Sequence, residues 1–159
     1  MEKQEIILKI SSAITKFLAK DSFLLTVDIN ERALTHKFAE YLQGEMDTFG
    51  SDWNVDCEYN RDYSEIKKIN PQLTKIYQNE ELSFFDTEAV SIYPDIIIHK
   101  RKSNTNLLVI EAKKTPTSKN LIDRDKEKLL LIKKEYKYTY AVLLTFDVLN
   151  SSISYDFIG

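Results

Sequence analysis

The stretch Tyr93-Pro94-Asp95-Ile96-Ile97-Ile98-His99-Lys100-Arg101-Lys102-Ser103-Asn104-Thr105-Asn106-Leu107-Leu108-Val109-Ile110-Glu111-Ala112-Lys113-Lys114 decides how the chain is read. Two β-rich apolar runs, Ile96 to His99 and Leu107 to Ile110, flank the polar, turn-prone Ser103-Asn104-Thr105-Asn106. That pattern predicts a β-hairpin. Asp95 opens its first strand, and Glu111 and Lys113 close its second.

A hairpin centred near Ser103 and Asn104 brings the start of one strand beside the end of the other, so Asp95 is expected within a residue or two of Glu111 and Lys113. Side chains two apart share a face of a sheet, which places Glu111 and Lys113 together. Two carboxylates about 4 Å apart repel by roughly 4 kcal/mol at an effective dielectric near 20. A divalent cation between them turns that cost into a binding site.

Pro94-Asp95, fifteen residues, then Glu111-Ala112-Lys113 resembles the signature of the PD-(D/E)XK nuclease superfamily, which includes restriction endonucleases, Holliday junction resolvases and repair nucleases. As a bare pattern, Asp, a gap and Glu-x-Lys is common by chance. Pro directly before Asp, apolar strands on both sides and a turn between them make it more specific for fold than for activity. The resemblance implies that the acidic residues hold magnesium and that the lysine positions and activates the attacking water.

The 159 residues suit one well-buried core, with an ordinary apolar share and few Gly or Pro. Cys57 is the only cysteine, so no intrachain disulfide is possible and a reducing, cytoplasmic setting is expected. Lys9, Lys16, Lys20 and Asp21 break up the N-terminus, against a secretory signal, and no apolar run is long enough to span a membrane.

From Lys3 to about Ala19, Ile6, Ile7, Ile10, Ala13, Ile14, Phe17 and Leu18 recur at helical spacing and predict an amphipathic packing helix. Asp28-Ile29-Asn30-Glu31 then has the form of a capping box, with Asp28 as cap and Glu31 reaching back. Ala33, Leu34, Phe38, Tyr41 and Leu42 give the next helix its buried stripe, with an expected end near Gly44. Trp53, Val55, Cys57 and Tyr59 alternate with polar residues, the pattern of a half-buried first strand. The segment from Asp62 to Ile92 is expected to hold short helices at Tyr63 to Ile69 and Leu73 to Tyr77. It is too long for an ordinary connection and is read as an insertion or recognition segment. After Thr115-Pro116, Ser118 or Asn120 caps a helix whose buried side carries Leu121, Ile122, Leu129, Ile132 and Tyr136. Lys119, Arg124, Lys126, Lys128, Lys133, Lys134 and Lys137 crowd the rest. Thr139 to Phe146 reads as a strand covered on both faces, joined to the hairpin by a right-handed crossover, and Ile153 to Phe157 as an edge strand.

This order matches the restriction endonuclease-like αβββαβ core that the resemblance implies: an α/β fold with a mixed central sheet flanked by helices and an extra N-terminal helix. The whole chain, 1–159, forms one domain on this reading, with the core at about 30–146 and 62–92 as the insertion.

The implied metal ligands are Asp95, Glu111 and the backbone carbonyl of Ala112, with Glu31 directly or through water. All are oxygen donors, as Mg2+ prefers, and Mn2+ is expected to substitute. Glu31 serves equally well as a helix-capping acid. His36, five residues further on, lies about 140° around the helix axis from Glu31 and is read as a surface or phosphate-contacting residue rather than a shared ligand. Arg61, at the end of the first strand, either clamps a phosphate or pairs with Asp62 or Glu65.

Net charge is −8 over residues 1 to 95, +7 over 96 to 140 and −2 over the remainder. The basic segment therefore holds the hairpin, and Lys114, Lys119, Arg124 and Lys126 are candidate phosphate contacts, or simply the solvated face of a helix. The expected activity is magnesium-dependent, endonucleolytic hydrolysis of DNA; the sequence does not fix the oligomeric state, a homodimer or larger assembly being what cutting two strands commonly implies. The alternatives are a non-catalytic nucleic-acid-binding or regulatory module on the same fold and a nuclease subunit active only within a defence or mobile-element assembly.

Overall fold

The computed structural model describes residues 1–27, 29–57 and 93–159. Helix α1 runs from Lys3 to Asp21 and α2 from Glu31 to Met46. Strand β1 covers Trp53–Cys57, β2 Ile96–Lys100 and β3 Asn106–Lys114. Helix α3, Lys119–Glu135, leads into β4, Tyr140–Asp147, and β5, Ser152–Phe157. The five strands form one mixed sheet in sequence order, β1 to β5. Only β3 and β4 are parallel, and α3 is the crossover between them.

The hairpin pairs as its sequence predicts, with Ile96 opposite Ile110, Ile97 opposite Val109 and Ile98 opposite Leu108. A register shift follows at His99, and Lys102 turns the chain with a φ of 60°. Strand alternation then divides the core in two. Ile96, Ile98, Leu108, Ile110, Val142, Leu144 and Phe146 face α1 and α2, where Ile6, Ile10, Phe17, Leu34 and Phe38 are buried. Phe146 meets Phe17 and Phe38 at centroid distances of 6.1 and 6.3 Å. Each such side chain, removed from water, is worth about 1.5–3 kcal/mol. On the opposite face Ile97, Val109, Ala141 and Leu143 meet Leu129 and Ile132 of α3, a much smaller apolar contact.

Three local expectations are corrected. The cap of α2 is Asn30, whose side chain accepts from the Ala33 amide at 2.8 Å. Asn caps as well as Asp does, and Glu31 is then the first helical residue with its carboxylate directed elsewhere. Asp28 itself lies outside the described residues. The helix also passes through Gly44, where nothing crowds the backbone, and the chain turns instead at Gly50, with φ of 128°. In α3, Leu121 is exposed while Asp125 and Lys128 are buried beside Leu129 and Ile132. Arg61, Tyr59, the short helices expected after them and the whole 62–92 segment lie outside the described residues. Among the described residues no helix is long and apolar enough to cross a membrane.

Candidate functional site

The apolar ladder of β3 ends at Ala112, and the polar residues around that end come from four elements. Asp95, just ahead of β2, accepts a hydrogen bond from the Ala112 amide at 2.7 Å. Its place one residue before Ile96 sets it opposite Glu111 by continuation of the hairpin register. Glu111 is 2% exposed, and its Oε1 lies 2.8 Å from the Lys128 ammonium of α3. Lys128 also donates to the Tyr93 carbonyl at 3.2 Å. Lys113 shares the face of Glu111 and stands 3.1 Å from Asp125 Oδ2 and 3.8 Å from Glu31 Oε1. Glu31 reaches the strand end through its other oxygen, which accepts from the Lys114 amide at 2.7 Å. The Lys114 ammonium returns the contact, donating to the Ile29 carbonyl at 2.7 Å.

Burial sets the titration of this group. It pushes the Glu111 carboxyl up to about 8; neighbouring Asp95 adds to the rise, and the Lys128 ammonium opposes it. Asp95 is raised as well, again by burial first, against the pull of the Ala112 amide, Lys128 and Lys113. Burial alone would lower Lys113, but the carboxylates of Asp125 and Glu31 outweigh it and hold the ammonium above its ordinary value. Four carboxylates, Glu31, Asp95, Glu111 and Asp125, thus meet two ammonium groups, Lys113 and Lys128.

All four predicted site side chains, Asp95, Glu111, Lys113 and Glu31, are brought to one end of β3, with the Ala112 backbone between them. They are not gathered into a ready ligand set. Among the described residues no group of three or more His, Cys, Asp or Glu side chains is placed to hold a metal ion. The oxygen donors are of the kind a hard divalent cation takes. Glu111, however, is already paired with Lys128.

A cavity of about 200 Å³ opens beside the group, lined by Glu31, Arg32, Thr35, His36 and Asp95. His36 therefore shares a concave wall with Glu31 despite its separation around the helix, because Glu31, Arg32, Thr35 and His36 together form one broad side of α2 over its first two turns. Of the remaining candidates, Lys119 is exposed, Arg124 and Lys126 are half-buried, and Lys114 is committed to Ile29.

Asp125, Lys128 and Arg32 were not among the sequence candidates. One signal for the first two was available. Ile122, Leu129, Ile132 and Tyr136 mark a stripe whose missing member, one turn after Ile122, is Asp125, an acid where an apolar residue belongs. Arg32 precedes His36 by four residues, and so lies one turn before it on the same side of the helix.

No family model, curated protein or solved structure matches this chain.

Proposed function

We propose that the chain is a divalent-metal-dependent nuclease of the PD-(D/E)XK kind, built on a restriction endonuclease-like core and hydrolysing phosphodiester bonds of DNA. The observation that carries the reading is the meeting of Asp95, Glu111 and Lys113, from two strands, with Glu31, from a helix, beside an open cavity. A sheet held together by apolar side chains has no structural need for that much buried charge at one strand end. The element order supports the same reading, since a three-stranded antiparallel unit followed by a helix and a parallel strand is the arrangement the motif implies.

Asp95, Glu111 and the Ala112 carbonyl would hold Mg2+ or Mn2+, with Glu31 directly or through water. The bound ion supplies a water of lowered pKa and polarises a phosphoryl oxygen. Lys113, kept as an ammonium by Asp125 and Glu31, is not the general base. It orients the attacking water and offsets charge growing on phosphorus. Arg32 and His36, which line the cavity with Glu31 and Asp95, would face the phosphates that flank the one cut.

The test is cleavage of supercoiled, linear and branched DNA with magnesium. Asp95→Ala, Glu111→Ala and Lys113→Ala are each expected to lower the rate by about 100-fold or more. Activity that survives all three substitutions overturns the mechanism. The Glu111–Lys128 pair favours a second reading, a binding or regulatory module without turnover. Thermal stability that rises with millimolar magnesium, and does so only with Asp95 intact, distinguishes a functioning site from that module.

A further inference from the structure

Lys128 lies on the buried side of α3 between Asp125 and Leu129 and is 8% exposed. Its ammonium stands 2.8 Å from Glu111 Oε1 and 3.2 Å from the Tyr93 carbonyl, bridging the entry to β2 and the end of β3. These two oxygens, one anionic and one a backbone carbonyl, are donors of the kind a hard cation takes. Lys113 has a different set of partners, Asp125 and Glu31, so the two lysines do not substitute for each other.

We infer that Lys128 is the internal cation of this site: its ammonium occupies the position beside Glu111 that a divalent ion needs, and metal binding is an exchange in which Lys128 gives up Glu111. The inference rests on the metal-site reading above and adds a residue that competes with the metal. Its physical basis is a conflict of requirements. Without a metal, a carboxylate as deeply buried as Glu111 needs a cationic partner close by, and among the described residues Lys128 stands in ion-pair contact with it. With a metal, two cations on one carboxylate repel each other in a region where water screens them poorly. The same contact that makes the metal-free chain tolerable therefore weakens its hold on the ion.

The experiment is Mn2+ titration of the full chain by calorimetry and by electron paramagnetic resonance, at fixed pH and ionic strength. Lys128→Met is expected to bind at least tenfold tighter than the unaltered protein, and Asp95→Ala in the same chain is expected to abolish the gain. Lys128→Arg, which keeps the charge, should show no gain. Lys128→Gln removes the charge but leaves Glu111 a hydrogen-bond donor; it must tighten in the same direction, and it carries the test where the methionine variant does not fold. Melting in EDTA gives a readout apart from affinity, since the neutral variants should melt lower than the unaltered chain and gain more on adding Mn2+. Equal or weaker Mn2+ binding by both neutral variants overturns the inference, even where the unaltered chain shows Asp95-dependent binding that upholds the metal site. Mn2+ binding by none of the proteins overturns both.

Discussion

Asp56 and Asp95 sit on neighbouring strands, and the structure shifts their carboxyl groups in opposite directions. For each, burial is the largest influence and raises the value. At Asp95 burial prevails, its hydrogen bond among the described residues coming from one backbone amide. At Asp56 it does not: Arg101 contacts both carboxyl oxygens and His99, 1% exposed, bonds one of them at 2.7 Å, holding Asp56 below the usual 3.8. A carboxyl depressed in the folded chain adds stability above its unfolded value and loses it as the pH falls through the folded one. Asp56→Ala should therefore unfold about 1–3 kcal/mol more easily at pH 7, chiefly because His99 is left buried without this partner. The gap to the unaltered protein should narrow as the pH is taken from 4 towards 2. Urea unfolding across that range checks it, and a gap that stays constant to the lowest pH rules out the carboxylate as its source.

Helix α2 shows at the level of an element how the scaffold aims a functional group. Asn30 caps it, Glu31 follows immediately, and the Glu31 carboxylate and Ile29 carbonyl are fastened to the amide and ammonium of Lys114. The start of the helix is thereby latched to the end of β3. Asn30→Ala should cost about 1 kcal/mol by chemical denaturation. Amides in the first turn of α2 and at Lys114 should also exchange faster with deuterium, because the latch and the cap hold the same turn. Unchanged exchange at Lys114 would separate the two. This element also marks the limit of what the sequence discloses. Strand alternation and helical spacing were enough to place α1, β1, the hairpin, α3 and β4, and the hairpin register was enough to bring Asp95 to Glu111. Choosing between Asp28 and Asn30 as cap was not possible from pattern, because both are good caps and the decision falls to where Glu31 finds a partner, some eighty residues away. Asp125 and Lys128 were obscured for the same reason. Polar residues count towards the solvated face in any periodicity, and it takes their partners on β3, Lys113 and Glu111, to make burial acceptable.

At the scale of the whole molecule, the sheet carries a large apolar core on the α1 and α2 side and a small one under α3, and the charged cluster begins where the small one gives out. The site is thus framed by the first turn of α2 on one side and α3 on the other. The chain's net charge of −3 gives no general attraction to nucleic acid, so among the described residues the cations that this framing presents are the ones to test. Arg32 on the cavity wall and Lys119 at the start of α3 are two of them, while Lys20 stands in the last turn of α1 and does not line the cavity. In a cleavage-dead Asp95→Asn background, binding of a DNA duplex measured against salt should separate these positions. Each phosphate contact contributes about 0.9 to the slope of log affinity against log salt. Arg32→Ala and Lys119→Ala should each flatten that slope by close to one contact and weaken binding equally for duplexes of different sequence. Lys20→Ala, which removes the same charge elsewhere, should leave the slope unchanged. If all three substitutions flatten it alike, the attraction is a property of net charge, and DNA does not lie across the mouth of the cavity beside α2.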